Sequence, residues 1–411
     1  MTAGTGIGAD SAAASRGPQR VFVHIGPPKT GTSFIQSVLF GNKQRLAGQG
    51  VLVPGRSQGD VFAAGADLRQ KESPGLRTHG AWNRLAAEAT AWPGTSVLSC
   101  EWLAFAPSEQ VAQIAHSFGS AEVHFVLTLR DLSRIIPAVW QEQVKNGKSF
   151  TMTEYLEWLE NPDKHDYGAK FWSVHDSTQL VPRWGEAVSP ERLHLVTVPG
   201  SGAPPEELWH RFASVIGVDS SGHDTSQVRA NHGFSPAEAE FVRRVNVELA
   251  GRMRKSARGP LVKRLLHDEL VEQPVARAKI RLPASAVAWV SPRGDAIIDF
   301  LKGAGHPIVG DLEDLRVSPA AVTAGDAEQY TEEEVSASAV ASAATLLLQM
   351  QSMGVHKRLR AKASRVAKRR AQTIAGGGRT TARDKLSTTA ASGLAGARRV
   401  AGRVRRAASS S

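Results

Sequence analysis

Short strand-forming segments alternate with helical patterns over the first half of the chain, and this alternation restricts the possible folds more than any other feature. The first segment is a β-branched and aromatic run, and the fourth is rich in Val, Phe and Leu. Strands that alternate with helices predict an α/β fold with a mostly parallel sheet covered by helices on both faces. The predicted strands are Val21–Ile25, Val51–Val53, Thr95–Ser99, Glu122–Leu129 and Arg192–Val198.

Beyond Pro199 the apolar spacing becomes helical, which predicts a helical C-terminal part. We expect a disordered arm over 1–20, one α/β domain over 21–320 that is rich in helix after about residue 200, a basic helix over 330–375 and a disordered basic tail over 376–411. The predicted helices of this part are Pro205–Ile216, Ser235–Leu249, Leu261–Leu270, Asp295–Lys302 and Glu332–Arg370.

The positive charge of the chain is concentrated at its C-terminal end. The formal net charge is +11, yet residues 355–411 hold 16 Lys or Arg and one acid, so the other 354 residues carry a net charge of −4. These cations are spread around the predicted helix without aromatic residues, which argues against a specific nucleic-acid surface. A solvated tail is the simplest interpretation, and contact with an anionic membrane or another polyanion is the functional alternative.

The cysteine content and the lengths of the apolar runs restrict the cellular compartment that we expect for the protein. A single cysteine, Cys100, excludes an internal disulfide framework and a Cys-rich zinc site. The first 20 residues contain no apolar core of the length that a signal peptide needs, and no stretch reaches the length of a transmembrane helix. We therefore expect a cytoplasmic protein, with peripheral attachment to the inner membrane face as the alternative.

The segment between the first predicted strand and the first predicted helix, Ser33–Ala47, forms a candidate anion site. A strand followed by a Gly-containing turn and a helix start directs free backbone N–H groups inward, and the helix N-terminus adds about half a positive charge. The ammonium of Lys29 supplies a full charge, and the hydroxyls of Thr30, Thr32 and Ser33 can add donors.

This loop differs from the loop that binds nucleoside triphosphates. Gly26 and Gly31 have the spacing of GxxxxGK[ST], but Thr32 occupies the position of the lysine. The lysine is instead Lys29, on the strand side of the loop, where it suits a shorter polyanion. The missing lysine, and the lack of an evident acidic Mg²⁺ ligand after a strand, argue against a small-molecule kinase.

The run Pro27-Pro28-Lys29-Thr30-Gly31-Thr32-Ser33 resembles the 5′-phosphosulfate-binding loop of sulfotransferases that use 3′-phosphoadenosine 5′-phosphosulfate (PAPS). The resemblance implies a three-layer, P-loop-type core, with PAPS as co-substrate and no metal. It places the 5′-phosphosulfate against Pro28, Lys29, Thr30, Gly31, Thr32 and Ser33. Lys29 would stabilise the leaving phosphate oxygen.

Members of this family hold the 3′-phosphate with an Arg at the end of a later strand and a Ser eight positions further on. Arg130, directly after the strand Glu122–Leu129, matches the Arg. The position of the Ser is occupied by Ala138, and Ser133 is the nearest hydroxyl. By resemblance, Arg130 and Ser133 are the candidate 3′-phosphate ligands; the alternative for Arg130 is an arginine paired to a neighbouring carboxylate.

The general base of this family is a Glu or a His. Glu101 follows the strand Thr95–Ser99 and is the first candidate, although a carboxylate there could also interact only with a helix dipole. His79 is the second candidate, whereas we expect His24 to be a packed residue and His175 a structural or solvated one. The acceptor would be a hydroxyl or amine of a small molecule, carbohydrate or lipid.

Two other functions remain compatible with the residues. One is a small-molecule kinase that uses a nucleoside triphosphate. The other is a non-catalytic nucleotide-binding protein whose basic tail binds a polyanion, and Ala138 is the feature that favours it.

Overall fold

A computed structural model describes residues 18–71, 75–226, 233–254, 257, 278–348 and 350–351. Its main sheet has six strands in the order β2-β3-β1-β4-β5-β7, and every pairing between them is parallel. The strands are β1 (Arg20–His24), β2 (Val51–Leu52), β3 (Thr95–Ser99), β4 (Glu122–Leu129), β5 (Leu193–Thr197), β6 (Leu282–Pro283), β7 (Ile308–Val309) and β8 (Val322–Thr323). β6 and β8 form a separate two-stranded parallel sheet.

Helices connect most of these strands. Those described are α1 (Thr32–Gly41), α2 (Lys43–Gly48), α3 (Gln58–Leu68), α4 (Ala81–Ala91), α5 (Ser108–His116), α6 (Leu132–Lys145), α7 (Met152–Glu160), α8 (Asp166–His175), α9 (Ser177–Gly185), α10 (Glu207–Ile216), α11 (Pro236–Glu248), α12 (Ala284–Gly303) and α13 (332–348). Because a parallel strand must be followed by a crossover, this connectivity is what the alternating sequence pattern requires.

The sheet is covered on both faces, as predicted. On one face the buried side chains of Phe22 and Val126 pack with residues of α1, α2 and α10 in a single apolar cluster. Phe125, next along β4, points to the other face, where its ring meets that of Trp184 in α9 at 4.9 Å. The α/β prediction with a parallel sheet between helical layers is therefore confirmed.

Three parts of the predicted element pattern differ from the structure. The helix expected over Ser33–Ala47 is divided at Asn42, whose side-chain amide donates to the Val38 carbonyl at 2.8 Å and whose Oδ1 accepts from the Asp224 N–H at 2.8 Å. β7 returns to the main sheet from a region predicted as helical, with Ile308 opposite Leu195. α12 begins eleven residues before the predicted helix Asp295–Lys302, at Ala284.

Some predictions fall outside the described residues. They include most of the arm over 1–20, the helix Leu261–Leu270 and the tail over 376–411. Packing groups the described residues up to Thr345 into one compact unit, to which Leu346 and the described residues after it do not belong. Within the described ranges, no helix combines the length and the apolar character needed to cross a bilayer.

Candidate functional site

The loop between β1 and α1 turns twice through the left-handed region of backbone space. Gly31 has φ 88° and Lys29 has φ 70°. Glycine adopts this conformation without penalty, whereas any residue with a Cβ loses roughly 1–2 kcal/mol there. Gly31 is also the N-cap of α1, and its carbonyl accepts the first helical bonds from the Phe34 and Ile35 N–H groups at 3.0 and 3.1 Å. The N–H groups of the first helical turn therefore point out of the helix end.

The inside of the loop is tightly packed around Gly26. A Cβ at this position would lie 2.7 Å from the Nε2 of His24 and 2.8 Å from the Oγ1 of Thr128, so only glycine fits. The Thr32 hydroxyl donates to the Gly26 carbonyl at 3.0 Å, and the Thr30 hydroxyl donates to the Pro27 carbonyl at 2.7 Å. Two of the three hydroxyls predicted as anion donors thus hold the loop closed.

Ser33 is the third predicted hydroxyl, and it is exposed at the first turn of α1. Pro28, which precedes the two left-handed turns, is half-buried. Among the predicted polar ligands of the loop, Ser33 has an exposed side chain and Lys29 a partly exposed one.

A chain of buried hydrogen bonds supports the loop from the sheet. It runs from Ser99 to His24 (2.8 Å), from His24 to Thr128 (3.2 Å) and from Thr128 to Thr30 (2.8 Å). Since the one hydroxyl hydrogen of Thr30 goes to the Pro27 carbonyl, Thr128 must donate to Thr30. Thr128 must then accept from the Nε2–H of His24, whose Nδ1 accepts from Ser99. Complete burial lowers the pKa of His24 to about 3, which keeps this neutral tautomer in place.

The ammonium of Lys29 contacts α6. Its Nζ lies 2.8 Å from the Oε2 of Glu142, and the two side chains are 32% and 27% exposed. The pair is therefore within reach of solvent, so an anion can approach the ammonium. The sequence did not predict this contact, because Glu142 is separated from Lys29 by 113 positions and no motif connects them.

Arg130 follows β4 and packs against the same loop. Its Nη1 donates to the Lys29 carbonyl at 2.9 Å, and its buried Nε has no hydrogen-bond partner among the described residues. Burial, and then the neighbouring charge of Arg134, lower the pKa of Arg130 to about 10. The adjacent carboxylate of Asp131 pairs with Arg134 and caps α6. Arg130 thus keeps donor capacity that this hydrogen bond does not use, and the Asp131 carboxylate also attracts its charge.

A small cavity lies behind the loop. It has a volume of about 20 Å³ and is lined by Thr30, Arg130 and His175, among others. The Nδ1 of His175 is buried there without a hydrogen-bond partner among the described residues, and burial lowers its pKa to about 3. This volume suits one water molecule and is too small for a nucleotide.

Ser133 is fully buried in the first turn of α6. Its hydroxyl donates to the Asp131 carboxylate and accepts from the Ser318 N–H at 3.1 Å. Ala138 is half-buried in the same helix, directly after Pro137. In this geometry the Ser133 hydroxyl fixes the cap of α6, and Arg130 is the predicted 3′-phosphate ligand that still has a donor to offer.

The candidate bases occupy different positions. Glu101 is half-buried at the start of a 3-10 helix, Glu101–Phe105, two residues beyond Ser99. Ser99 pairs with His24, so Glu101 lies at the carboxyl edge of the sheet close to the level of Gly26. His79 is exposed in the turn before α4.

Cys100 and His175 are packed residues. The Cys100 side chain is 3% exposed, and burial raises the pKa of its thiol to about 12, which makes it unreactive. His175 is buried at the end of α8, while the neighbouring Asp176 caps α9 by accepting from the Thr178 N–H at 3.0 Å. Neither Cys100 nor His175 has the exposure that a reactive group needs.

These residues form a candidate anion site at the carboxyl edge of a parallel sheet, where open α/β sheets bind their ligands. Two cationic side chains, Lys29 and Arg130, adjoin the N-terminus of α1, and a carboxylate from the neighbouring strand lies on the same edge. No family model, curated protein or solved structure matches the chain.

Proposed function

We propose that the chain is a sulfotransferase that moves a sulfuryl group from PAPS to a hydroxyl or amine acceptor. The observation that supports this most is the backbone of Lys29, which has φ 70° in a loop that wraps the start of α1. Glycine would avoid the conformational cost at this position. Residues kept in unfavourable backbone conformations cluster at functional sites, so the strain indicates that the ammonium is used.

With a hydroxyl acceptor, the proposed reaction exchanges one S–O bond for another. The backbone N–H groups at the start of α1, with Lys29 and Ser33, hold the 5′-phosphosulfate, and the incoming anion displaces the Glu142 carboxylate from Lys29. The acceptor oxygen attacks sulfur while its proton passes to Glu101. The bond between sulfur and the phosphate oxygen breaks, and its electron pair stays on that oxygen beside Lys29. The products are the sulfated acceptor and adenosine 3′,5′-bisphosphate.

Recognition of the 3′-phosphate rests on Arg130 in this proposal. Its guanidinium already contacts the Lys29 carbonyl, so one side chain links the two phosphate sites. Arginine suits this task because its planar group can donate two parallel hydrogen bonds to a phosphate. Ser133 would contribute by holding the carboxylate of Asp131 and, through it, the segment that carries Arg130.

Transfer of a labelled sulfuryl group tests the proposal. The protein is incubated with ³⁵S-labelled PAPS and a fractionated cell extract, and label is expected in a product other than free sulfate. Lys29→Ala should abolish transfer, and Glu101→Gln should slow it roughly 10²–10⁴-fold. Lys302→Ala is the matched control, because Lys302 is also paired to a carboxylate, Asp299, at 3.1 Å. Transfer that survives Lys29→Ala would refute the assigned role of the ammonium.

A further inference from the structure

Two arginines donate hydrogen bonds to the same short helix, the 3-10 helix Glu101–Phe105. The Nη1 of Arg69, directly after α3, lies 3.2 Å from the carbonyl oxygen of Trp102. The Nη2 of Arg183, in α9, lies 3.0 Å from the carbonyl oxygen of Ala104. Because a 3-10 helix rises about 2 Å per residue, these two carbonyls are about 4 Å apart along its axis. The two guanidinium groups are therefore neighbours.

The two guanidinium groups carry positive charge without a counter-charge. The Nε atoms of Arg69 and Arg183 are buried and have no hydrogen-bond partner among the described residues. In the same part of the chain, neither side chain has a carboxylate partner: burial lowers the pKa of Arg69, and burial, followed by the charge of Arg69, lowers the pKa of Arg183. A charge that is partly removed from water is costly unless an opposite charge neutralises it.

The arginine pair lies on the opposite side of the anion loop from Arg130. The 3-10 helix follows β3, whereas Arg130 follows β4, and the sheet order places β1 with its loop between those two strands. An anion on the pair is therefore a different group from the 3′-phosphate that the proposed function assigns to Arg130. Glu101, which takes the proton of the acceptor in that proposal, starts the 3-10 helix that the pair contacts.

From this arrangement we propose that Arg69 and Arg183 bind an oxyanion of the acceptor, so that the acceptor is an alcohol or amine that already carries a negative charge. The inference rests on the proposed function. Both side chains are half-buried, so a solute can reach them. The hydrogen bonds of the pair use the Nη1 of Arg69 and the Nη2 of Arg183, which leaves the other Nη group of each for the anion. A neutral acceptor would leave both charges without a partner.

Thermal unfolding in sodium sulfate tests the pair with a simple oxyanion. Saturating adenosine 3′,5′-bisphosphate is present so that sulfate does not occupy the loop of Lys29, and sodium chloride at equal ionic strength is the reference. We expect sulfate to raise the unfolding temperature of the wild type, and Arg69→Gln/Arg183→Gln to lose most of this rise. Sulfate also stabilises proteins by its exclusion from their surface, so the difference between the two proteins is the decisive quantity.

Two control variants separate binding from structural damage. Arg69→Lys/Arg183→Lys keeps both charges and should retain the response to sulfate. Arg45→Gln should respond as the wild type does, because Arg45 is an exposed arginine that also donates to a carbonyl, that of Ser221, at 3.1 Å. An equal response to sulfate in the wild type and in Arg69→Gln/Arg183→Gln would overturn the proposal, since the arginines would then only hold the 3-10 helix.

The sulfuryl transfer assay identifies the class of acceptor. A cell extract is divided on an anion-exchange column before incubation with ³⁵S-labelled PAPS, and we expect label in acceptors from the retained fraction. For Arg69→Gln/Arg183→Gln, the amount of this fraction that gives half-maximal transfer should rise roughly tenfold or more, with unchanged binding of adenosine 3′,5′-bisphosphate. Label confined to acceptors that the column does not retain would overturn the proposal. A wild type that does not bind the bisphosphate would instead contradict the proposed function, and the sulfate measurement would still decide whether the pair binds an anion.

Discussion

Substitution of Lys29 by glycine and by alanine separates backbone strain from charge. Both variants remove the ammonium and its contact with Glu142. They differ in the backbone, because only glycine adopts φ 70° without a Cβ penalty. We therefore expect Lys29→Gly to be the more stable of the two, although glycine normally destabilises an ordered position.

The expected difference follows from two opposing effects. A residue with a Cβ loses roughly 1–2 kcal/mol in the left-handed region. The greater freedom of glycine in the unfolded chain opposes this by about 0.5–1 kcal/mol. The free energy of unfolding should thus be about 1 kcal/mol higher for Lys29→Gly than for Lys29→Ala.

Urea denaturation of both variants measures this difference, and the sulfuryl transfer assay applied to the same samples should find both inactive. Gly31→Ala provides the opposite test two residues away, since Gly31 has φ 88° and an added Cβ would meet the side chain of Leu208. The Gly31→Ala substitution should therefore lower the free energy of unfolding. If Lys29→Ala were as stable as Lys29→Gly, the lysine would not be strained and the main support for the proposed function would be lost.

Three further predictions concern the surroundings of the loop. Thr128→Val leaves the Nε2–H of His24 buried without an acceptor and should lower the free energy of unfolding by about 1–3 kcal/mol in urea; a change within error would refute the hydrogen-bond chain. Glu142→Gln removes the carboxylate that is paired with the ammonium of Lys29, so binding of adenosine 3′,5′-bisphosphate, measured by calorimetry, should strengthen up to about fivefold. Weaker binding would count against the proposal that the incoming anion displaces Glu142 from Lys29. Burial lowers the pKa of His175 to about 3 from 6.5, so the unfolded chain takes up a proton below pH 6.5 that the folded protein does not. Stability should therefore fall by about 1.4 kcal/mol per pH unit below that point, and His175→Leu should remove this share of the pH dependence.

The sequence predicted the parts of the fold that depend on local pattern. β3 and β4 have the predicted bounds: each follows a turn that contains glycine, and β4 is a long run rich in Val, Phe and Leu. β7 was not predicted, since two residues, Ile308 and Val309, are too short to produce a periodic signal. The break at Asn42 depends on a hydrogen bond from Asp224, which lies 182 positions away.

For the candidate site, too, the sequence predicted the features that depend on local pattern and not those that depend on distant contacts. The position of the loop at a strand–helix junction was readable from local sequence, but the left-handed backbone of Lys29 was not, because lysine does not mark such a position. The partners Glu142 and Thr128 come from other elements of the fold. Thr128 did leave a signal that could have been used, a polar residue near the carboxyl end of a buried strand.

Calorimetric titration of the purified protein with adenosine 3′,5′-bisphosphate, and separately with ATP and Mg²⁺, measures the selectivity of the anion site directly. We predict saturable binding of the bisphosphate that is lost in Lys29→Ala and strongly weakened in Arg130→Ala, with ATP and Mg²⁺ binding far more weakly. Tight binding of ATP that requires Mg²⁺, with none of the bisphosphate, would contradict the account and favour a kinase.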